Sequence, residues 1–299
     1  MQDLKKRYKK IFKDNNVDCL DNSIDFSFSE DDIMTTGGDI QHDSGLLLGY
    51  YQPKIVDQYF KRYRIPKIFK TLGIKDEIKT HLDLNDPYLH KFTIYTGENL
   101  DDKKIVEIFF RKRSLAIPST SNNNKRADTL YIDWLLMQNP YKKFRSMKPS
   151  LPGQKHPGLR IGDHILEILF NVAKRIKCDG LANSPNYLHT AVLFSKELMF
   201  IDPAMQAVSD ATKGFLLRRY SLSTVAWASV HGAIIFNETN EIFKWVSSPM
   251  ILPLSTKMKH YFNSRWYKKQ YREAKDKFRV RIDLDKLQKK MSEPATNTF

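Results

Sequence analysis

The sequence predicts a mixed α/β fold: a mostly antiparallel central sheet with helices on both faces. Three observations carry this expectation. Strand-like runs at residues 90–95 and 104–111 flank the polar stretch Thr96-Gly-Glu-Asn-Leu-Asp-Asp-Lys103, which reads as a hairpin. Asp128-Thr-Leu-Tyr-Ile-Asp-Trp-Leu-Leu-Met137 reads as a long, mostly buried strand, ended by Asn139-Pro140. A Gly/Pro-rich turn then feeds a helix, and a short strand follows. A strand–helix–strand crossover adds a parallel neighbour to an otherwise antiparallel sheet.

The elements follow in order. In residues 1–13, Leu4, Tyr8, Ile11 and Phe12 share one face of a short basic helix. Residues 14–45 are polar and read as loop. Gly45-Leu-Leu-Leu-Gly-Tyr-Tyr51 reads as a short buried strand. Residues 54–72 fit a helix interrupted near Pro66 and stopped by Gly73. A second short helix is expected over residues 76–81, and a loop over residues 114–127. In the helix of residues 163–177, Ile165, Leu169, Val172 and Ile176 repeat at helical spacing. Gly180-Leu181-Ala182 reads as a strand, residues 189–198 and 204–217 as helices. Residues 225–236 and 241–246 read as a hairpin whose core holds Trp227 and Trp245. Residues 255–277 form a basic amphipathic stretch, and residues 291–299 a frayed tail. The expected organisation is an N-terminal basic helix and loop (1–44), a core (45–203) and a C-terminal extension (204–299).

At 299 residues and 41% hydrophobic, the chain can bury one large core or two smaller ones. No apolar run reaches the ~20 residues that span a bilayer, and the basic N-terminus has no apolar segment behind it, so no membrane span and no secretory signal are expected. Cys19 and Cys178 lie far apart, outside any CxxC, which points to a reducing, cytoplasmic setting. The net charge of +15 attracts polyanions, although lysines also serve to solubilise a surface. His81, His90, His164, His231 and His260 show no metal-ligand spacing, nor does His42 with Asp39 and Asp43, and no metal site is expected.

The chemistry concentrates in Gln154-Lys-His-Pro-Gly-Leu-Arg-Ile-Gly162. A Gly/Pro turn entering a helix points backbone N–H groups outward, and the helix dipole adds partial positive charge, which suits phosphate or pyrophosphate. Residues 128–201, with strand, turn, helix, strand, Asn183 and then Ala191-Val-Leu-Phe-Ser-Lys-Glu-Leu-Met-Phe200, resemble the GNAT superfamily of N-acetyltransferases. That family sets Arg/Gln-x-x-Gly-x-Gly/Ala between its fourth strand and third helix. It follows its fifth strand with an Asn and a helix of the form Ala-x-x-Leu/Phe-Tyr-x-x-x-Gly-Phe. Here Pro157 holds the first motif position and Arg160 the middle glycine's; Ser195 stands for the tyrosine and Met199 for the glycine.

The resemblance implies a GNAT-like fold and acetyl-CoA or another acyl-CoA as cosubstrate. It implies a coenzyme site of His156, Pro157, Gly158, Leu159, Arg160, Ile161, Gly162, Asp163 and Asn183, and transfer of the acyl group to an amine. Such transfer needs a base for the amine, a polarised thioester and a proton for the departing thiolate. The candidates are Asp133 on the fourth strand, alternatively a structural ion-pair partner of a lysine, and Tyr187, His189 and Ser195. His189 and Ser195 are six residues apart and point differently on one helix. Two other readings stand beside the acyltransferase: a catalytically silent GNAT-fold scaffold, favoured by Arg160 and Ser195, and a nucleic-acid binder using the basic termini. In the C-terminal stretch, Arg265-Trp-Tyr-Lys-Lys-Gln-Tyr-Arg-Glu-Ala-Lys275, interleaved aromatics and cations suit base stacking, but the favoured reading makes Tyr267, Tyr271 and Ala274 a packing stripe with a basic outer face.

Overall fold

The computed structural model describes residues 45–293, apart from residues 55, 57–62, 99–102, 119–124 and 147. The expected N-terminal helix and loop, Cys19, the His42 cluster, the consecutive asparagines 122–124 and the tail beyond residue 293 lie outside the described residues.

The order is α1 (Ile65–Thr71), β1 (Ile78–Asp83), β2 (His90–Thr96), β3 (Lys104–Ala116), β4 (Arg126–Met137), α2 (Gly162–Arg175), β5 (Gly180–Asn183), α3 (Leu188–Phe194) and β6 (Met199–Phe200). Then come α4 (Pro203–Ala211) with a π-helical turn (Thr212–Leu216), α5 (Leu222–Val230), β7 (Ile234–Phe236), β8 (Met250–Pro253), α6 (Thr256–Asn263), α7 (Arg265–Lys277), β9 (Val280–Ile282) and α8 (Leu284–Ser292). Seven strands form one sheet in the order β1-β2-β3-β4-β5-β8-β6, and β7 and β9 form a separate ribbon. The pairs β1/β2, β2/β3, β5/β8 and β6/β8 are antiparallel. Asp179 N donates to Asp128 O at 2.6 Å, so β5 starts beside the start of β4 and runs parallel to it. This is the mixed, mostly antiparallel α/β sheet that the sequence predicts, flanked by helices and compatible with an acetyltransferase-like architecture.

The chain divides into two compact units. The first holds the described residues up to Lys112, with Ile132–Lys143 and His156–Ile176. Its buried side chains include Phe69, Ile74, Ile94, Ile105 and Ile132, with Leu159, Ile161, Ile165 and Leu169 from the turn and α2. The second holds Arg113–Tyr131, Phe144–Lys155 and the described residues from Lys177 onward. One of its clusters gathers Leu188, Leu216, Val225, Ile234, Phe243, Phe278, Val280 and Ile282; another gathers Tyr131, Ala182, Ile251, Met258, Phe262 and Tyr267.

Several local expectations need correction. The helix expected at residues 76–81 is instead β1, which pairs with β2 along its length. The strand expected at residues 45–51 is a turn closed by one Leu47–Tyr51 bridge. Pro66 lies in the first turn of α1, where its missing N–H is harmless; most of the helix expected before it falls outside the described residues. The loop expected at residues 114–127 is shorter, because β3 continues to Ala116 and β4 starts at Arg126. The apolar run 225–236 splits: its first part is helix α5, N-capped by Ser221, whose hydroxyl accepts from Thr224 N. Only β7 is strand, and it pairs with β9, keeping a single bridge from Ile235 to Ile242 in place of the expected hairpin. The basic stretch is two helices broken at Ser264, whose hydroxyl caps α7.

Candidate functional site

In the first unit the turn is sewn to the end of β4. Gly158 bridges Gln138, and Asn139 N donates to Pro157 O at 2.7 Å. Asn139 is 2% exposed; its Nδ2 donates to Leu72 O at 3.0 Å, and its Oδ1 accepts from Tyr141 N at 3.0 Å. One buried amide thereby fixes the level at which the turn leaves the strand.

From there the turn alternates. Leu159 and Ile161 are buried, while Gly158 and Arg160 between them are exposed. Arg160 has φ +62°, the left-handed conformation that L side chains rarely adopt. It stands at the middle-glycine position of the pattern that the sequence resembles. The backbone keeps a glycine-type conformation there although the residue is arginine. Gly158 and Gly162 do not need that freedom. A Cβ at Gly158 would lie 3.8 Å from Met137 O, and one at Gly162 3.6 Å from Met137 Cε, both ordinary contacts.

Helix α2 opens at Gly162 with Ile161 at its N-cap, which supplies no side-chain cap, and Asp163 lies in the first turn. The helix dipole draws negative charge to this end. Asp163 supplies some of it, and Arg160 brings a cationic side chain to the same stretch of chain.

Among the described residues Asp133 pairs with an arginine, not with the lysine that was the alternative. Its Oδ1 accepts from Arg111 Nη2 at 2.7 Å, a cross-strand ion pair between β4 and β3. Beside it, Trp134 Nε1 donates to Glu107 Oε2 at 2.8 Å, and Glu107 pairs with Lys104 at 2.7 Å.

Sequence reasoning missed the polar stripe on α2. His164, Glu167 and Asn171 recur at helical spacing beside the apolar stripe, and Asn171 Nδ2 lies 3.5 Å from Tyr63 Oη. Burial pushes the Glu167 carboxyl up to about 7, and its Oε2 is buried with no hydrogen-bond partner among the described residues. Three polar residues at i, i+3 and i+7 were the available signal.

The second unit holds the remaining candidates. Asn183 ends β5, is 5% exposed, and its Oδ1 has no partner among the described residues. Tyr187 precedes α3 in extended backbone. Its ring covers Gly153, where an added Cβ would meet it at 3.2 Å, and stacks on His189 at 5.3 Å between centroids. His189 is 5% exposed, and burial pushes its pKa down to about 4, so the imidazole is neutral at physiological pH. Ser195 lies just past the end of α3, and its Oγ donates to Val192 O at 2.7 Å. The structure therefore brings Tyr187 and His189 together, and turns Ser195 back onto its own helix.

The aromatic members of the C-terminal stretch pack inward. Tyr267 Oη donates to Phe200 O at 2.8 Å, Tyr261 Oη to Ile201 O at 2.6 Å, and Tyr271 Oη to Asp210 Oδ2 at 3.2 Å. Trp227, on α5, donates to Ser150 O at 3.0 Å, and Trp245 donates to Pro185 O at 3.2 Å. Among the described residues no group of three His, Cys, Asp or Glu side chains is arranged to hold a metal ion, and no helix is long and apolar enough to cross a membrane. Compared with family models and with curated proteins, the sequence matches none.

Proposed function

We propose that the chain is a cytoplasmic, acyl-CoA-binding N-acyltransferase-like protein. The turn from Pro157 to Asp163 takes the coenzyme's pyrophosphate, and the acyl group passes to an amine. One observation carries this reading: the left-handed backbone at Arg160, at the position of a glycine in the resembled pattern, on a turn that opens into a 14-residue helix. Backbone N–H groups and the helix dipole then favour an anion, and the Arg160 guanidinium adds donors for a phosphate oxygen.

A second reading, a coenzyme-binding module without turnover, draws on a separate observation. Ser195 spends its hydroxyl on Val192 O, and Asp133 spends its carboxylate on Arg111. Neither group is poised as acid or base. Tyr187 and His189, the other candidates, lie in the second unit, where their rings stack on each other.

Calorimetry on the full chain tests binding. Acetyl-CoA is expected to bind at least about tenfold more tightly than S-acetylpantetheine, which lacks the pyrophosphate. At Gly158 and Gly162 a Cβ meets only ordinary contacts, and Gly158→Leu and Gly162→Leu are expected to weaken acetyl-CoA while leaving the circular dichroism unchanged. Equal affinity for the two thioesters, or in variants and parent, places the site elsewhere. Thiol release across a panel of amines then separates the two readings: release supports transfer, and binding without release supports the silent module.

A further inference from the structure

We propose that an arginine-lined cavity in the second unit, independent of the turn at Arg160, binds the phosphate group of a small phosphomonoester. The cavity, about 150 Å³, is lined by Phe215, Arg219, Tyr220, Asn237, Arg279 and Arg281, with Leu216 and Val280 behind them. None of these residues is acidic.

The local sequence explains the convergence. Phe278-Arg-Val-Arg-Ile282 alternates, and Phe278, Val280 and Ile282 are each 6% exposed in the core. Period-two geometry sends Arg281 on β9, and Arg279 just before it, to the opposite face. The π-helical turn Thr212–Leu216 carries Phe215 to the same cavity, and Arg219 follows it. Single π-helical turns within α-helices are frequent at functional sites.

Two of the three guanidinium groups are held in place. Arg281 Nη2 donates to Asn240 Oδ1 at 2.6 Å, and Nη1 lies 3.5 Å from Asn237 O. Arg279 lies 5.1 Å from the centroid of the Phe215 ring, with Nη1 3.5 Å from Lys275 O. Their partners are neutral: among the described residues no carboxylate pairs with Arg219, Arg279 or Arg281. Three like charges around one small cavity repel one another until an anion enters, and the arginine fork matches two oxygens of a phosphate.

The chemistry of the occupant follows from charge and size. Three cations favour the dianion of a phosphomonoester over the single charge of a phosphodiester. The volume takes a phosphate group and leaves the rest of the molecule at the mouth, beside Phe215, which is 39% exposed.

The test is calorimetry of the full chain with phenyl phosphate and with a short single-stranded oligonucleotide lacking a terminal phosphate. Phenyl phosphate is expected to bind, and Arg219→Gln, Arg279→Gln and Arg281→Gln each to weaken it about tenfold. Arg272→Gln, on the exposed face of α7, is expected to leave it unchanged. Circular dichroism checks that each variant is folded. Should a variant unfold, protection of the parent's arginines from phenylglyoxal by phenyl phosphate, read by peptide mass at Arg219, Arg279 and Arg281, replaces it. The proposal is overturned by unchanged affinity in the folded cavity variants, by an equal loss in Arg272→Gln, or by absence of that protection. It is also overturned if the oligonucleotide binds more tightly and loses affinity through the same substitutions.

Discussion

Glu167 and His189 illustrate how burial alone sets charge in this protein. The folded-state carboxyl of Glu167 titrates at about 7 against an ordinary value of 4.5, so between these values the folded chain holds a proton that the unfolded chain has released. Stability is fully present below the unfolded value and falls as pH rises through this window. His189 works the other way. With a folded value of about 4 against 6.5, the unfolded chain takes up the proton first, and stability is lost as pH falls from 6.5 towards 4. The windows overlap with opposite slopes, so the pH profile of the whole chain hides both groups. Glu167→Gln separates them. At about pH 8 the variant should exceed the parent by on the order of 1–2 kcal/mol, allowing for screening of a partly exposed group, and at about pH 4.5 the two should coincide. Urea midpoints at both pH values measure this, and an equal difference at both would show that Glu167 is not charged by the rise in pH.

Among the elements, β5 depends on a glycine for reasons of space. A Cβ at Gly180 would lie 2.5 Å from Ile251 Cδ1 and Cγ1 and 2.7 Å from Leu252 O, on the paired strand β8. The side chain of Ile251 is itself fully buried, so it has no room to retreat. Gly180→Ala is expected to destabilise the chain by about 1–3 kcal/mol, the usual range for overpacking, in chemical denaturation. A loss below about 0.5 kcal/mol would mean that β5 and β8 separate easily. This strand pair also shows what the sequence makes legible. Gly180–Asn183 was readable because a strong helix precedes it. Met250–Pro253 was not: it is a short central strand between β5 and β6, apolar throughout, so neither helical nor strand period marks it. The helix α5 was misread for the same reason, its apolar residues spreading round the whole helix. The strand β1 failed in the other direction, because an edge strand with mostly half-exposed residues carries little alternation. At the candidate site, the turn and its helix were legible from Gly, Pro and a 3.6-residue period. The contacts that decide its chemistry were not, since Arg111–Asp133 and Asn139–Leu72 join residues 22 and 67 positions apart.

Across the whole molecule, 49 basic residues face 34 acidic ones, an excess of 15 positive charges. Ion pairs among the described residues are mostly partly exposed, such as Lys103–Asp76 and Lys290–Glu293, and pairs of this kind contribute little. Repulsion among the unmatched cations should therefore outweigh them, and salt should stabilise the fold by screening it. Raising sodium chloride from about 20 to about 300 mM shortens the screening length several-fold. The expected gain, of order 1 kcal/mol, corresponds to a rise of about 2–4 °C in Tm. A falling Tm would show that attractive pairs dominate. Phosphate adds a second, separable effect. At matched ionic strength it stabilises proteins generally by exclusion from their surface, so the comparison that matters is between proteins. If the arginine cavity holds phosphate, the extra rise over chloride should be larger in the parent than in the doubly substituted Arg279→Gln, Arg281→Gln chain, because a ligand bound only to the folded state adds stability by mass action. An equal extra rise in both would assign the whole effect to surface exclusion, leaving the three guanidinium groups as solvated surface charge.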